Sequence, residues 1–175
     1  MEEKHPSAFQ ATLFPGLMLG LSLIVFSLIM YVIGVEYDSR INWLSYLIIA
    51  GFLYWSMATY RDKSMGGFAS YGSVFKAGFF TLLVATVILA IYTYVYVTYI
   101  NPGFIDDILL KQEEELLRRS PNMSDKELET AMSVVSKFSS PAIITVSAAF
   151  FNLLFGTVIS LLIAIFVRRE KSSPA

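Results

Sequence analysis

Four uninterrupted apolar runs organise the chain: residues 11–35, 41–60, 77–100 and 142–167 contain no Asp, Glu, Lys, Arg or His. A helix rising 1.5 Å per residue needs about 20 residues to cross a hydrocarbon core of about 30 Å. Each run is long enough. The pattern predicts an all-α fold, a polytopic membrane protein with four transmembrane helices, forming a single four-span membrane domain over residues 1–175. The first run far exceeds a signal-peptide core and has no small-residue cleavage site after it, so it is expected to be retained. Composition agrees: 55% of residues are hydrophobic, above the roughly 45–50% of soluble domains. A soluble enzyme, a nucleic-acid binder and a secreted scaffold are thereby excluded, and the lipid bilayer is the partner the pattern demands.

Within the runs, small residues mark where helices are expected to approach closely. Phe14-Pro15-Gly16 opens the first span, proline suiting a first turn with no donor to lose. Gly16 and Gly20 form a small-x-x-x-small pair. The short connection from Glu36 to Arg40 predicts that span two returns beside span one. Trp43 and Trp55, toward opposite ends of span two, read as headgroup-level anchors. In the fourth span Ala148, Asn152, Gly156, Ser160 and Ala164 recur every four residues. Together with Gly16 and Gly20, these five are the helix-packing candidates, Asn152 needing a polar partner in hydrocarbon and its small neighbours letting one approach.

Between the spans the pattern changes period. After Arg61-Asp-Lys-Ser-Met, Gly66 and Gly67 mark a turn, and Phe68, Tyr71 and Phe75 suggest a short interfacial helix ahead of span three. Tyr92, Tyr96 and Tyr99 fall on one face of the end of that span, as in an interfacial aromatic belt. Asn101-Pro102 reads as the cap and first turn of a new helix, with Asp106 and Asp107 near its positive end. Ile105, Ile108, Leu109, Gln112 and Leu116 make one amphipathic stripe, ended by Ser120-Pro121-Asn122. Ser124 and Glu127 then spell a capping box, followed by a stripe of Leu128, Ala131, Met132, Val135 and Phe138. An amphipathic extramembrane helical hairpin over about 103–140 is therefore expected between spans three and four.

Charge sets the expected orientation. With four spans, Lys4, Arg61, Lys63, Lys76, Arg168, Arg169 and Lys171 share a side with four acids, for a net +3. The opposite side, with six basic and ten acidic residues, carries −4. Several of the first group abut span ends, which predicts both termini on the cytoplasmic side of the cell membrane.

Reactive chemistry is sparse. No ionisable residue lies within the spans, where transporters and proton relays keep theirs. Cysteine is absent, and His5, the single histidine, stands in a charged tail beside a proline. Asp106, Asp107, Glu113, Glu114 and Glu115 lack the spacing of a calcium loop, and no phosphate-binding glycine loop occurs. No catalytic residue, cofactor or metal ligand is assigned, and the chain is expected not to be an enzyme.

The ordered set Gly67-Phe-Ala-Ser-Tyr-Gly-Ser-Val-Phe-Lys-Ala-Gly78, Tyr99-Ile-Asn-Pro-Gly-Phe-Ile-Asp, Met123-Ser-Asp-Lys-Glu and Lys137-Phe-Ser-Ser-Pro141 resembles the bacterial family called domain of unknown function 4199. The resemblance implies a small four-span protein of the bacterial inner membrane, with an acidic helical insert before the last span. It implies no activity. The expected role is a structural or accessory subunit acting through helix contacts, in a homo-oligomer or with an unidentified membrane-protein partner. The alternatives are a small homo-oligomeric transporter or channel and, third, a membrane enzyme.

Overall fold

A computed structural model of the chain describes residues 7–35 and 39–170, whose regular elements are all helices. Six α-helices follow in order: α1 (Ala8–Val32), α2 (Ser39–Thr59), α3 (Tyr71–Val95), α4 (Phe104–Arg119), α5 (Asp125–Lys137) and α6 (Pro141–Val167). The C-terminal ends of α2 and α3 widen into π-helical turns at Tyr60–Ser64 and Tyr96–Ile100. Three segments, Ala8–Val32, Tyr71–Ile100 and Pro141–Val167, are long and apolar enough to cross a membrane. Lys4, His5, residues 36–38 of the first connection and Lys171 lie outside the described residues.

The chain divides into two compact units, one of Met1–Leu89 with Phe151–Ala175 and one of Ala90–Phe150. The first holds the apolar core. Leu19 and Leu23 of α1, Ile49, Leu53 and Met57 of α2, Val74, Leu82 and Ala85 of α3, and Ala164 and Val167 of α6 pack as one cluster. Lipid tails are as apolar as leucine, so such helices associate through close packing and hydrogen bonds rather than by escape from solvent. Small residues therefore decide which faces meet.

Helix ends in this unit follow local chemistry, with two departures from the sequence expectation. Ser7 and Gln10 exchange two hydrogen bonds of 3.3 Å, a capping box that starts α1 at Ala8. Pro15 consequently lies inside α1, not in its first turn. Such prolines are tolerated in membrane helices where neighbours compensate. At the other end Gly34, at φ +72°, places its amide on Tyr31 O, and the Val35 amide reaches Met30 O, the two bonds that close a Schellman turn. Ser70 caps α3 through the amide of Ser73 and starts the helix at Tyr71. No separate interfacial helix precedes span three: Phe68 stays in the loop, while Tyr71 and Phe75 belong to α3 itself.

That loop is tied to the end of α6. Gly66 and Gly67, at φ +63° and +86°, turn the chain through the left-handed region that favours glycine. The Ala69 amide then donates to Arg169 O (2.8 Å) and the Arg169 amide to Ala69 O (3.0 Å). Tyr71 adds a bond from its hydroxyl to Leu161 O at 3.3 Å.

In the second unit the amide of Asn101 donates to Tyr96 O at 2.8 Å, the i to i+5 bond of a π turn. Asn101 closes that turn instead of capping a new helix, and its side-chain amide meets the Tyr96 hydroxyl at 3.4 Å. α4 begins only at Phe104 and has no side-chain cap. The π turn also takes the tyrosines off a common face: Tyr96 is buried against Phe104, at 5.7 Å between ring centres, while Tyr99 is 74% exposed. Glu127 Oε2 accepts from both the amide (2.9 Å) and the hydroxyl (2.8 Å) of Ser124, so α5 starts where the capping box places it. α4 and α5 touch one another, yet neither contains a fully buried residue.

Candidate functional site: a polar seam along the third helix

α3 presents small and hydroxyl-bearing residues to α1, α2 and α6. Val74, Ala77, Gly78, Thr81, Leu82, Ala85 and Thr86 are its buried positions, spaced three and four apart. Toward α1, a β-carbon on Gly16 would stand 2.7 Å from Val84 Cβ and 2.9 Å from the Thr81 carbonyl oxygen. One on Gly20 would meet Ile88 at 3.2 Å. Toward α6, a β-carbon on Gly156 would strike the Leu82 side chain at 2.5 Å, and Ser160 Oγ would lie 2.5 Å from a β-carbon built on Gly78. The constraint is firmest at Gly16, where the neighbour is a backbone oxygen; at Gly20 and Gly156 the neighbouring side chain would have to move aside.

Hydroxyls join the same helices. Thr81 donates its proton to Ala77 O at 2.9 Å, so in the 2.5 Å contact between Ser56 and Thr81 it is Ser56 that donates. This buried pair ties α2 to α3. Thr86 donates to the side-chain oxygen of Asn152 at 3.3 Å, tying α3 to α6. Thr12 returns its hydroxyl to Ala8 O within α1. Ser160 Oγ is fully buried against Gly78 without a hydrogen-bond partner.

The seven packing candidates therefore divide. Gly16, Gly20, Asn152, Gly156 and Ser160 face α3 inside the chain, and Ala164 lies in the buried core near the end of α6. Ala148 is exposed and shares none of this seam. Residues spaced by four turn 40° per step on a helix of 100° per residue, so Ala148 and Ala164 stand about 160° apart. Sequence reasoning missed Ser56 on α2 and Gly78, Thr81 and Thr86 on α3. The signal for the three on α3 is the recurrence Ala77-Gly78, Thr81, Ala85-Thr86 in the third apolar run.

The seam holds no titratable group, and its chemistry is limited to hydrogen bonding and close contact. Outside the spans, two carboxylates are perturbed. The hydrogen bond from Arg61 holds Asp62 below the usual aspartate range and raises the guanidinium in turn. The two bonds from Ser124 lower Glu127. Among the described residues no three His, Asp or Glu side chains gather as a metal site. Open grooves lie along α4 and α5, one of them lined by Lys111, Gln112, Glu114, Glu115 and Arg118.

No curated protein and no solved structure matches the chain. Residues 15–169 match the model of the family described as protein of unknown function, DUF4199, and the chain belongs to that family.

Proposed function

We propose that the chain is a four-span protein of the bacterial cytoplasmic membrane, non-enzymatic, with both termini cytoplasmic, which serves as a structural or accessory subunit. α2 is the fourth span: its 21 residues extend about 31 Å at the helical rise, and Trp43 and Trp55 are exposed toward lipid. The small-residue stripe of α6 joins it to α3 of the same chain. Recognition of another subunit then falls to the extramembrane hairpin of α4 and α5. One observation supports this most: the two helices bury nothing fully, and Leu110 and Leu117 on α4, Val134 on α5 and Phe138 at the C-cap of α5 are exposed. A partner that covers these side chains would supply the burial that α4 and α5 lack within the chain.

The test is the native mass of the protein extracted from its own membrane in a mild polymer, with a photo-crosslinker at Leu117. A foreign membrane subunit crosslinked in stoichiometric amount is expected, and Phe138→Ser should release it without altering thermal unfolding. A crosslinked second copy would replace the accessory role with a homo-oligomer. A bare monomer with no crosslink would overturn the proposal.

A further inference from the structure

Where α2 and α6 end, cations gather around an acid already occupied. Arg61 grips Asp62 through Nε–Oδ1 at 2.7 Å and a second nitrogen–oxygen contact at 2.9 Å. Its remaining guanidinium nitrogen donates to Val167 O at 2.9 Å. A helix C-terminus repels anions through its unsatisfied carbonyls, but here one of those carbonyls is covered by a guanidinium. The paired bonds between Ala69 and Arg169 then hold Arg168 and Arg169 beside the loop. Arg168, Arg169 and Lys63 are exposed and enter no salt bridge among the described residues, although the charge of Arg169 also reaches Asp62. Met65 and Phe68 are exposed in the same loop, next to a turn that only glycines make easily.

We infer that Lys63, Arg168 and Arg169, with the exposed apolar edge of Met65 and Phe68, form a site for the phosphate-bearing headgroup of an anionic phospholipid. A soluble phosphate compound would use the cations but gain nothing from the two apolar side chains, whereas a lipid offers its phosphate and its acyl boundary together. The cations also stand immediately beyond the apolar run of α6, at the depth a headgroup occupies. The backbone tie between Ala69 and Arg169 anchors the stretch that carries Arg168 and Arg169 beside this loop, unlike a loose basic tail. The inference rests on the reading of α6 and α3 as membrane spans.

Trp55 reports on the site, standing about 9 Å along the helix axis from Arg61 at 1.5 Å per residue. A Trp43→Phe variant with Trp55 as its one indole is reconstituted into bilayers mixing phosphatidylcholine with phosphatidylglycerol, either lipid carrying brominated chains. Quenching by brominated phosphatidylglycerol is expected to show about three- to tenfold enrichment over phosphatidylcholine. Raising salt from about 0.05 to about 0.5 M should collapse the enrichment in the unaltered site, since the screening length shrinks severalfold. Arg168→Gln with Arg169→Gln should abolish it, while Lys111→Gln with Lys126→Gln, which removes the same charge elsewhere, should not. Equal quenching by both lipids overturns the site while leaving the membrane reading intact. Loss of enrichment with millimolar inorganic phosphate at constant ionic strength overturns the lipid as its occupant. Absence of quenching by either lipid means the chain is not in the bilayer, and the membrane reading fails first.

Discussion

The two units of this chain solve opposite problems with the same kind of element. In the unit built from α1, α2, most of α3 and the end of α6, the closest helix contacts depend on what side chains leave out: Gly16, Gly78 and Gly156 sit where an added β-carbon would fall within 3 Å of a neighbouring atom. In the other unit, α5 is fixed by what its end supplies, the bonds between Ser124 and Glu127, and neither α4 nor α5 contains a buried residue. With α4 and α5 outside the membrane, as proposed above, the difference would follow from the surroundings. In hydrocarbon the backbone must satisfy itself and any apolar side chain is at home, so only shape distinguishes one helix face from another. Where water competes, a short helix needs capping and a partner for its apolar stripe to persist.

The sharpest way to break this comparison is to fill a notch. Gly16→Leu sets a side chain against Val84 Cβ and the Thr81 carbonyl, a backbone atom that cannot move aside. Overpacking of a close contact costs roughly 3 kcal/mol, and unfolding by a denaturing detergent should show a loss of that order. Gly51→Leu on α2 is the control, since nothing lies within 4 Å of its position. Equal losses from both substitutions would mean that helix propensity and lipid fit, not the notch, govern the unit. By contrast, Leu117→Ser should change stability by less than about 0.5 kcal/mol, as exposed substitutions do.

Much of this architecture is legible in the residues. The apolar runs anticipate α1, α3 and α6, Gly66-Gly67 anticipates the turn, and Ser124 with Glu127 anticipates the start of α5, because each depends on neighbours in sequence alone. What escapes reading depends on neighbours in space or on a change of helical period. Pro15 looks like a start until Ser7 and Gln10 are seen to cap α1 a full two turns earlier. Asn101 looks like a cap, but the π turn before it claims its amide for Tyr96. Phe138 continues the α5 stripe on paper, yet it is the C-cap residue and is 67% exposed, the helix having ended at Lys137. The site is half legible: the α6 stripe is visible by its spacing, while its α3 counterpart mixes glycine, alanine and threonine and shows no single repeat.

A smaller effect separates shape from hydrogen bonding within the first unit. Thr81→Val removes the acceptor for Ser56 while keeping the volume, leaving a buried donor unpaired. Side-chain hydrogen bonds between membrane helices contribute about 0.6–1.7 kcal/mol, so this loss should fall well below that of Gly16→Leu. Ser56→Ala added to Thr81→Val should restore part of it, because neither hydroxyl is then orphaned. A double variant as unstable as the sum of the singles would show that the pair is not coupled.

The smallest effect lies at the start of α5 and should leave the first unit untouched. The bonds from Ser124 lower the Glu127 carboxyl below its usual range, so the folded helix favours the ionised form. A depressed folded value means that the support is complete above the unfolded glutamate pKa of about 4.3 and disappears as pH falls through the lower folded value. Hydrogen exchange in the first turn of α5 should therefore quicken below about pH 4, relative to the same amides at neutral pH after correction for intrinsic rates. Glu127→Gln keeps an acceptor but not the charge, and should exchange faster at neutral pH with little further change on acidification. If α3 amides respond in step with those of α5, the two units do not open separately, and the contrast between packing by omission and fixing by caps does not describe how this chain is held.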